Sequence, residues 1–203
     1  MIAMFVILFF LVFAYLLGSV CSAVIVCRLF DLPDPRREGS KNPGATNVLR
    51  LAGKKYAITV LLADMLKGFI PVLIAKLFGE SSTVLGFICF AAVFGHMYPV
   101  FFKFHGGKGV ATAIGAMFGL HFALGILVLA SWLIIANFTR YSSLASIATI
   151  LFAPFYSIAV IHNMNAFLPL LFIAIFVLYK HHKNLTRLFD GEEPKITFKS
   201  KTS

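Results

Sequence analysis

The sequence predicts an all-α, polytopic membrane protein, a single membrane-embedded domain over residues 1–203, and three observations lead there. Hydrophobic residues make up 60% of the chain and charged ones only 13%, where a soluble domain is about half apolar and about a quarter charged. Long apolar runs recur from end to end. The cations fall in short segments between these runs, as the positive-inside rule requires, so the net charge of +10 does not indicate a nucleic-acid binder. Cys21, Cys27 and Cys89 show no CxxC or zinc spacing and read as buried apolar thiols. Nothing calls for a metal or a cofactor.

The opening stretch, MIAMFVILFFLVFAYLLGSVCSAVIV, lacks a basic leader and exceeds a signal-peptide core. Its cations follow it, at Arg28, Arg36 and Arg37. It reads as an uncleaved helix with its N-terminus outside. A polar stretch at about 27–56 leads to apolar runs at Ala57–Phe78 and Thr83–Phe102, separated by a turn at 79–82. After a glycine-lysine stretch comes a 29-residue run, 110–138. Arg140 interrupts, and Leu144–Ile161, the break at 162–165 and Ala166–Tyr179 precede a basic tail.

The cations set the parity of crossings. Segment 27–56 holds seven Lys or Arg, Lys103 and Lys108 occupy the next inner loop, and the tail from Lys180 holds six. Turns 79–82 and 162–165 hold none. All basic segments share one face only if the number of crossings is odd. A hairpin within 110–138, turning near Gly119–His121, gives seven transmembrane helices, a cytoplasmic C-terminus and a cytoplasmic Arg140. Gly115-x-x-x-Gly119 suits close helix packing. Asp64 and Lys67, i,i+3 inside the second span, form an ion pair or wall a polar site. Lys195, Lys199 and Lys201 are expected in a disordered tail drawn to the membrane surface.

Three inner segments, at about 36–50, 95–112 and 180–194, carry the chemistry. GSKNPGATNVLR offers Ser40, Asn42, Thr46 and Asn47 as hydrogen-bonding groups and Arg50 as a bidentate cation. A helix starts there, with Thr46 or Asn47 as its expected cap, and a helix start is itself an anion site. FHGGKGVAT surrounds Lys108 with Gly106, Gly107 and Gly109, so that backbone amides and one charge can meet an anion. It is not a Walker A loop, because Phe102 and Gly109 stand where glycine and serine or threonine are needed. In YKHHKNLTRLFDGEEP, His181, Asn184 and Arg187 follow at i, i+3, i+6 and can serve a phosphate and a hydroxyl. The implied substrate is an anion, phosphorylated or similar, met at the bilayer surface.

These three motifs, in this order and with these apolar spacers, resemble the acyl-phosphate:glycerol-3-phosphate acyltransferases of bacteria, the PlsY family. The resemblance covers nearly the whole chain. It implies seven transmembrane helices with a cytoplasmic site in the inner membrane, and acyl transfer from acyl phosphate to the sn-1 hydroxyl of glycerol 3-phosphate, giving lysophosphatidate and phosphate. Acyl-CoA is not a donor in this family. The implied partners are acyl phosphate, glycerol 3-phosphate, the lipid bilayer and a soluble enzyme that makes acyl phosphate. By motif position, Ser40, Asn42, Thr46, Asn47 and Arg50 form the first polar loop. Gly106, Gly107, Lys108 and Gly109 form the glycerol-phosphate loop, preceded by His96. His181 and Asn184 match the family's His and Asn, with Arg187 and Glu193 after them. Lys41 stands where glycine is usual.

The catalytic set is His181, Asn184, Ser40 and Arg50. Acyl phosphate carries a good leaving group, so the chemistry asks mainly for placement. Two bases fit: His181, or a substrate phosphate with His181 orienting it. Ser40 suits a hydrogen-bond donor better than a nucleophile. The competing class is an organic-anion transporter, which the intramembrane Asp64 and Lys67 would suit; the one-sided polar motifs, without an inverted repeat, argue against it.

Overall fold

A bilayer offers backbone N–H and C=O groups no partner, so apolar segments must satisfy them internally as helices. The computed structural model describes residues 2–196, and among these it contains α-helices and no strand. They are α1 (Ile2–Gly18), α2 (Ser22–Leu29), α3 (Ala45–Ala52), α4 (Lys54–Leu77), α5 (Ser82–Met97), α6 (Val110–Leu120), α7 (Phe122–Thr139), α8 (Ser142–Ile161), α9 (Phe167–Lys180) and α10 (His182–Phe189), with a 3-10 turn at Val100–Phe102.

Five stretches are long and apolar enough to cross a membrane: Ile2–Leu29, Lys54–Leu77, Ser82–Phe102, Phe122–Thr139 and Ser142–Ile161. Two apolar helices are shorter, Val110–Leu120 and Phe167–Lys180. At 1.5 Å per residue α6 reaches only about 17 Å, against about 30 Å of hydrocarbon. The 110–138 run is thus two helices that meet at His121, the residue that caps both. Lys76, in the last turn of α4, donates to the Leu120 carbonyl at 3.0 Å and satisfies the end of α6.

α5 lies at the centre, packed against α1, α4, α6 and α9. Lipid gives helices no hydrophobic reason to associate, so contact depends on close packing through small residues. A β-carbon on Gly115 would lie 1.9 Å from the Met65 carbonyl oxygen, and one on Gly68 would lie 2.1 Å from that of Thr112. These glycines let the α4 and α6 backbones touch. Large apolar side chains such as Phe9, Leu62, Phe138 and Phe155 face outward, as a lipid-facing surface requires.

The buried charges are accounted for. Lys67 Nζ lies 2.8 Å from Asp64 Oδ1 and donates at 2.6 Å to the carbonyl of Val20, which the break between α1 and α2 frees from helical bonding. All three cysteines are buried and unbridged.

The C-terminal segment differs from the expected disordered tail. Through Ile196 it is pinned to the α7–α8 turn, and Lys195 packs its ammonium 5.5 Å from the Tyr141 ring centroid. Lys199 and Lys201 lie outside the described residues.

Candidate active site

The inner segments converge on one cavity of about 470 Å³. Ser40, Asn42, Thr46, Asn47 and Arg50 line it from the first segment, His96, Lys108 and Gly109 from the second, and His181, Asn184, Arg187 and Glu193 from the third. Two helices begin at its wall: α3 through Gly44, Ala45 and Thr46, and α6 through Gly109, Val110 and Ala111. First-turn amides have no acceptor within their own helix and carry partial positive charge. Two helix starts thus face the cavity beside Lys108, Arg50 and Arg187, an arrangement with the chemistry to hold anions. Its other end is apolar, lined by Leu61, Met65, Ile114, Leu129 and Leu133 from α4, α6 and α7.

Lys108 is held at this polar end. Its Nζ donates to Asn184 Oδ1 at 2.5 Å. Asn184 Nδ2 donates to Glu193 Oε1 at 2.7 Å, and Arg187 Nε donates to Glu193 Oε2 at 2.7 Å. Burial, offset in part by Glu193, lowers the Lys108 pKa to about 8.

Residues 8–191 match the family model for glycerol-3-phosphate acyltransferase. A glycerol-3-phosphate acyltransferase of Legionella pneumophila (strain Corby) is 60% identical over 95% of this chain and 69% of its own length. One from Vibrio cholerae is 50% identical over 94% of this chain and 91% of its own. A crystal structure of PlsY, an integral membrane glycerol 3-phosphate acyltransferase, in its glycerol 3-phosphate form superposes with a TM-score of 0.88 at 44% identity, covering 94% of this chain and 96% of that one. The lysophosphatidic acid form gives a TM-score of 0.86 at 42% identity, covering 95% and 96%. The chain belongs to the glycerol-3-phosphate acyltransferase family.

In this member of the acyltransferase family several residues have tasks other than those expected. Gly106 and Gly107 do not line the cavity. A β-carbon on Gly106 would lie 2.0 Å from the His96 carbonyl oxygen, and one on Gly107 would lie 2.2 Å from His96 Nε2. The Gly107 N–H donates to that carbonyl at 3.1 Å. These glycines seat the loop on His96, and the Gly107 amide is not free for a phosphate. His96 in turn has Nδ1 3.6 Å from Asp64 Oδ1, beyond hydrogen-bond range.

Asn47 is a loop clamp. Its Oδ1 accepts from the Ser40 N–H at 2.9 Å, and its Nδ2 donates to the carbonyls of Pro35 and Glu38, each at 3.0 Å. Both amide protons are spent, leaving none for a substrate. It does not cap α3, and neither does Thr46; the cap is Gly44, with no side-chain bond. Lys41 is exposed and has a φ of +57°. A left-handed backbone suits glycine, so the glycine usual in this motif is a conformational choice. Lys41 faces solvent and adds no donor to the cavity.

His181 is buried, and its Nδ1 lies 2.8 Å from the Val177 carbonyl. An Nδ1–H donated to that carbonyl leaves the Nε2 lone pair free. Burial, reinforced by the charge of Lys108, lowers its pKa to about 4, so it is neutral at pH 7. No base lies within hydrogen-bond distance of Ser40 Oγ among the described residues, which leaves that hydroxyl unactivated.

Asp64, read from the sequence as an ion-pair partner or the wall of a polar site, does line the cavity, while Trp132, Ser142, Ser143 and Ser146 line it and escape motif reading. Ser143 Oγ is buried and faces the Glu193 carboxylate. Its signal in the sequence was only proximity to Arg140.

Proposed function

We propose that this protein transfers an acyl group from acyl phosphate to the sn-1 hydroxyl of glycerol 3-phosphate, the first step of bacterial phospholipid synthesis. The observation that carries the reading is the cavity's asymmetry. Two helix starts and three cations at one end suit two phosphates, and an apolar end among α4, α6 and α7 suits an acyl chain. The relative solved with glycerol 3-phosphate and with lysophosphatidic acid supports it.

In this mechanism Lys108, with the start of α6, holds one phosphate, and Arg50, with Thr46, Asn42 and the start of α3, holds the other. Ser40 donates to a substrate oxygen, and Ser143 supports the Glu193 carboxylate. Arg187 and Glu193 frame the site, and Asn184 fixes Lys108. The glycerol hydroxyl oxygen attacks the acyl carbonyl carbon, the bond from that carbon to the phosphate oxygen breaks, and phosphate leaves. His181 Nε2 takes the hydroxyl proton; a substrate phosphate is the competing acceptor. Asn47, His96, Gly106 and Gly107 serve by holding the two loops in shape.

Within this reading the chain is one domain of the bacterial inner membrane with seven crossings, its N-terminus outside and its site and C-terminus cytoplasmic. The Lys76–Leu120 bond at the far ends of α4 and α6 and the Arg140–Ile196 pairing support this arrangement. A cysteine at position 140, in a background without Cys21, Cys27 and Cys89, resists an impermeant thiol reagent in intact cells and reacts in inverted vesicles. Labelling from outside would break the seven-crossing topology.

The donor is tested with purified protein in detergent. Acyl phosphate and glycerol 3-phosphate yield lysophosphatidate without any compartment, and acyl-CoA yields none. Comparable turnover with acyl-CoA would overturn the donor assignment. No product, together with uptake of the anion into vesicles, would favour a transporter.

A further inference from the structure

Residues 190–196 leave α10 and return to the turn between α7 and α8. The Ile196 N–H donates to the Arg140 carbonyl at 2.7 Å, and Arg140 Nη2 donates to the Ile196 carbonyl at 3.2 Å. The Ile196 side chain is buried with Ala136 and Ala145, and Trp132 and Ile135 pack against the cluster. Between this anchor and α10 stands Glu193, whose N–H donates to the Arg187 carbonyl at 3.1 Å.

We propose that Arg140 and Ile196 are positioning residues, which hold the 190–196 strap so that Glu193 fixes Asn184 and, through it, Lys108. The argument is one of hydrogen-bond polarity. Asn184 can present either an oxygen or an NH₂ group to Lys108, and only the oxygen accepts from an ammonium. Glu193 Oε1 accepts one hydrogen bond from Asn184 Nδ2 at 2.7 Å and so turns Oδ1 toward Lys108. With the strap lifted, Glu193 loses its place beside Ser143 of α8 and is held only from the α10 side. Asn184 is then free to flip and present a donor to the cation. Residues far from the reacting atoms thereby set where the phosphate-binding charge stands.

The kinetic part of this inference rests on the acyltransferase reading; two other measurements do not. Trp132 is the only tryptophan of the chain, and it reports the strap by its emission. Inorganic phosphate binding, followed by calorimetry, reports the Lys108 site without acyl transfer. In the full-length protein Ile196→Asp should red-shift the emission, weaken phosphate binding about tenfold and raise KM for glycerol 3-phosphate about tenfold, with kcat within about threefold of the parent. Ile196→Leu should behave as the parent. In a Glu193→Gln background, Ile196→Asp should add less than about twofold, because both changes act through one contact. A red-shifted emission with parental phosphate affinity would overturn the inference, as would effects that multiply fully in the double variant. Should Ile196→Asp not fold, Arg140→Gln removes only one hydrogen bond of the anchor and is read by the same cycle, with an expected change of about threefold. A parent that binds phosphate but makes no lysophosphatidate sinks the acyltransferase reading alone, and phosphate affinity then decides the role of the strap.

Discussion

Lys108→Met lowers kcat/KM for glycerol 3-phosphate by roughly tenfold to 150-fold, the equivalent of losing one hydrogen bond to a charged group at about 1.5–3 kcal/mol. Methionine keeps the stem and removes the charge. The loss has two sources: the phosphate contact, and the Asn184 oxygen, which accepts from Lys108 in a buried position. If the contact is equal in ground and transition states the loss falls on KM; if it strengthens during attack it falls on kcat. The pH dependence identifies the group. Its pKa of about 8, lowered from 10.5 by burial, leaves Lys108 charged at pH 7 and neutral above 8. Phosphate binding requires the charged form, so KM rises as pH climbs through 8 in the parent. That rise is absent in the Met variant. Kinetics of a folded Met variant within about threefold of the parent, below the weakest charged hydrogen bond, would show that Lys108 does not carry the phosphate and only braces Asn184 in the cavity wall.

Motif chemistry was legible where a residue type has few alternatives. Arg50, Lys108 and His181 are costly in a greasy chain, and all three reach one cavity. The His121 break was legible because glycines and a polar residue interrupt a run too long for one span. What the sequence hid was division of labour. Asn47 and Asn184 look alike as amides in basic motifs, yet Asn47 spends both amide protons on the Pro35 and Glu38 carbonyls, while Asn184 links Lys108 to Glu193. Such tasks depend on which carbonyls a fold brings near, across separations that spacing cannot reveal. Gly106 and Gly107 read as a phosphate cradle, but the atoms they make room for, the carbonyl oxygen and Nε2, are on His96. Ser143 was hidden for another reason: a serine in an apolar helix commonly bonds its own backbone, and only the fold sets this one against the Glu193 carboxylate.

His181→Ala lowers kcat by about 10²- to 10⁴-fold, the range for removing a general base. The substitution is mild for the fold, because the Val177 carbonyl that the ring meets also accepts the His181 backbone N–H at 3.1 Å and is not orphaned. The pH behaviour carries the sign. With its pKa near 4 rather than 6.5, His181 in the free enzyme is already a neutral acceptor at pH 6, so a loss of kcat/KM caused by its protonation begins only near pH 4. Bound phosphates place negative charge beside the ring and raise that pKa. The acid limb of kcat, which reports the complex, therefore lies at higher pH than this limb of kcat/KM. Paired pH profiles of parent and variant measure the difference, and the variant should lack it. A fall in kcat of less than about tenfold, well short of general-base catalysis, would pass the proton to a substrate phosphate. His181 would then be left to orient the hydroxyl, a role that an imidazole with a fixed Nδ1–H and a free Nε2 can fill without ever being protonated.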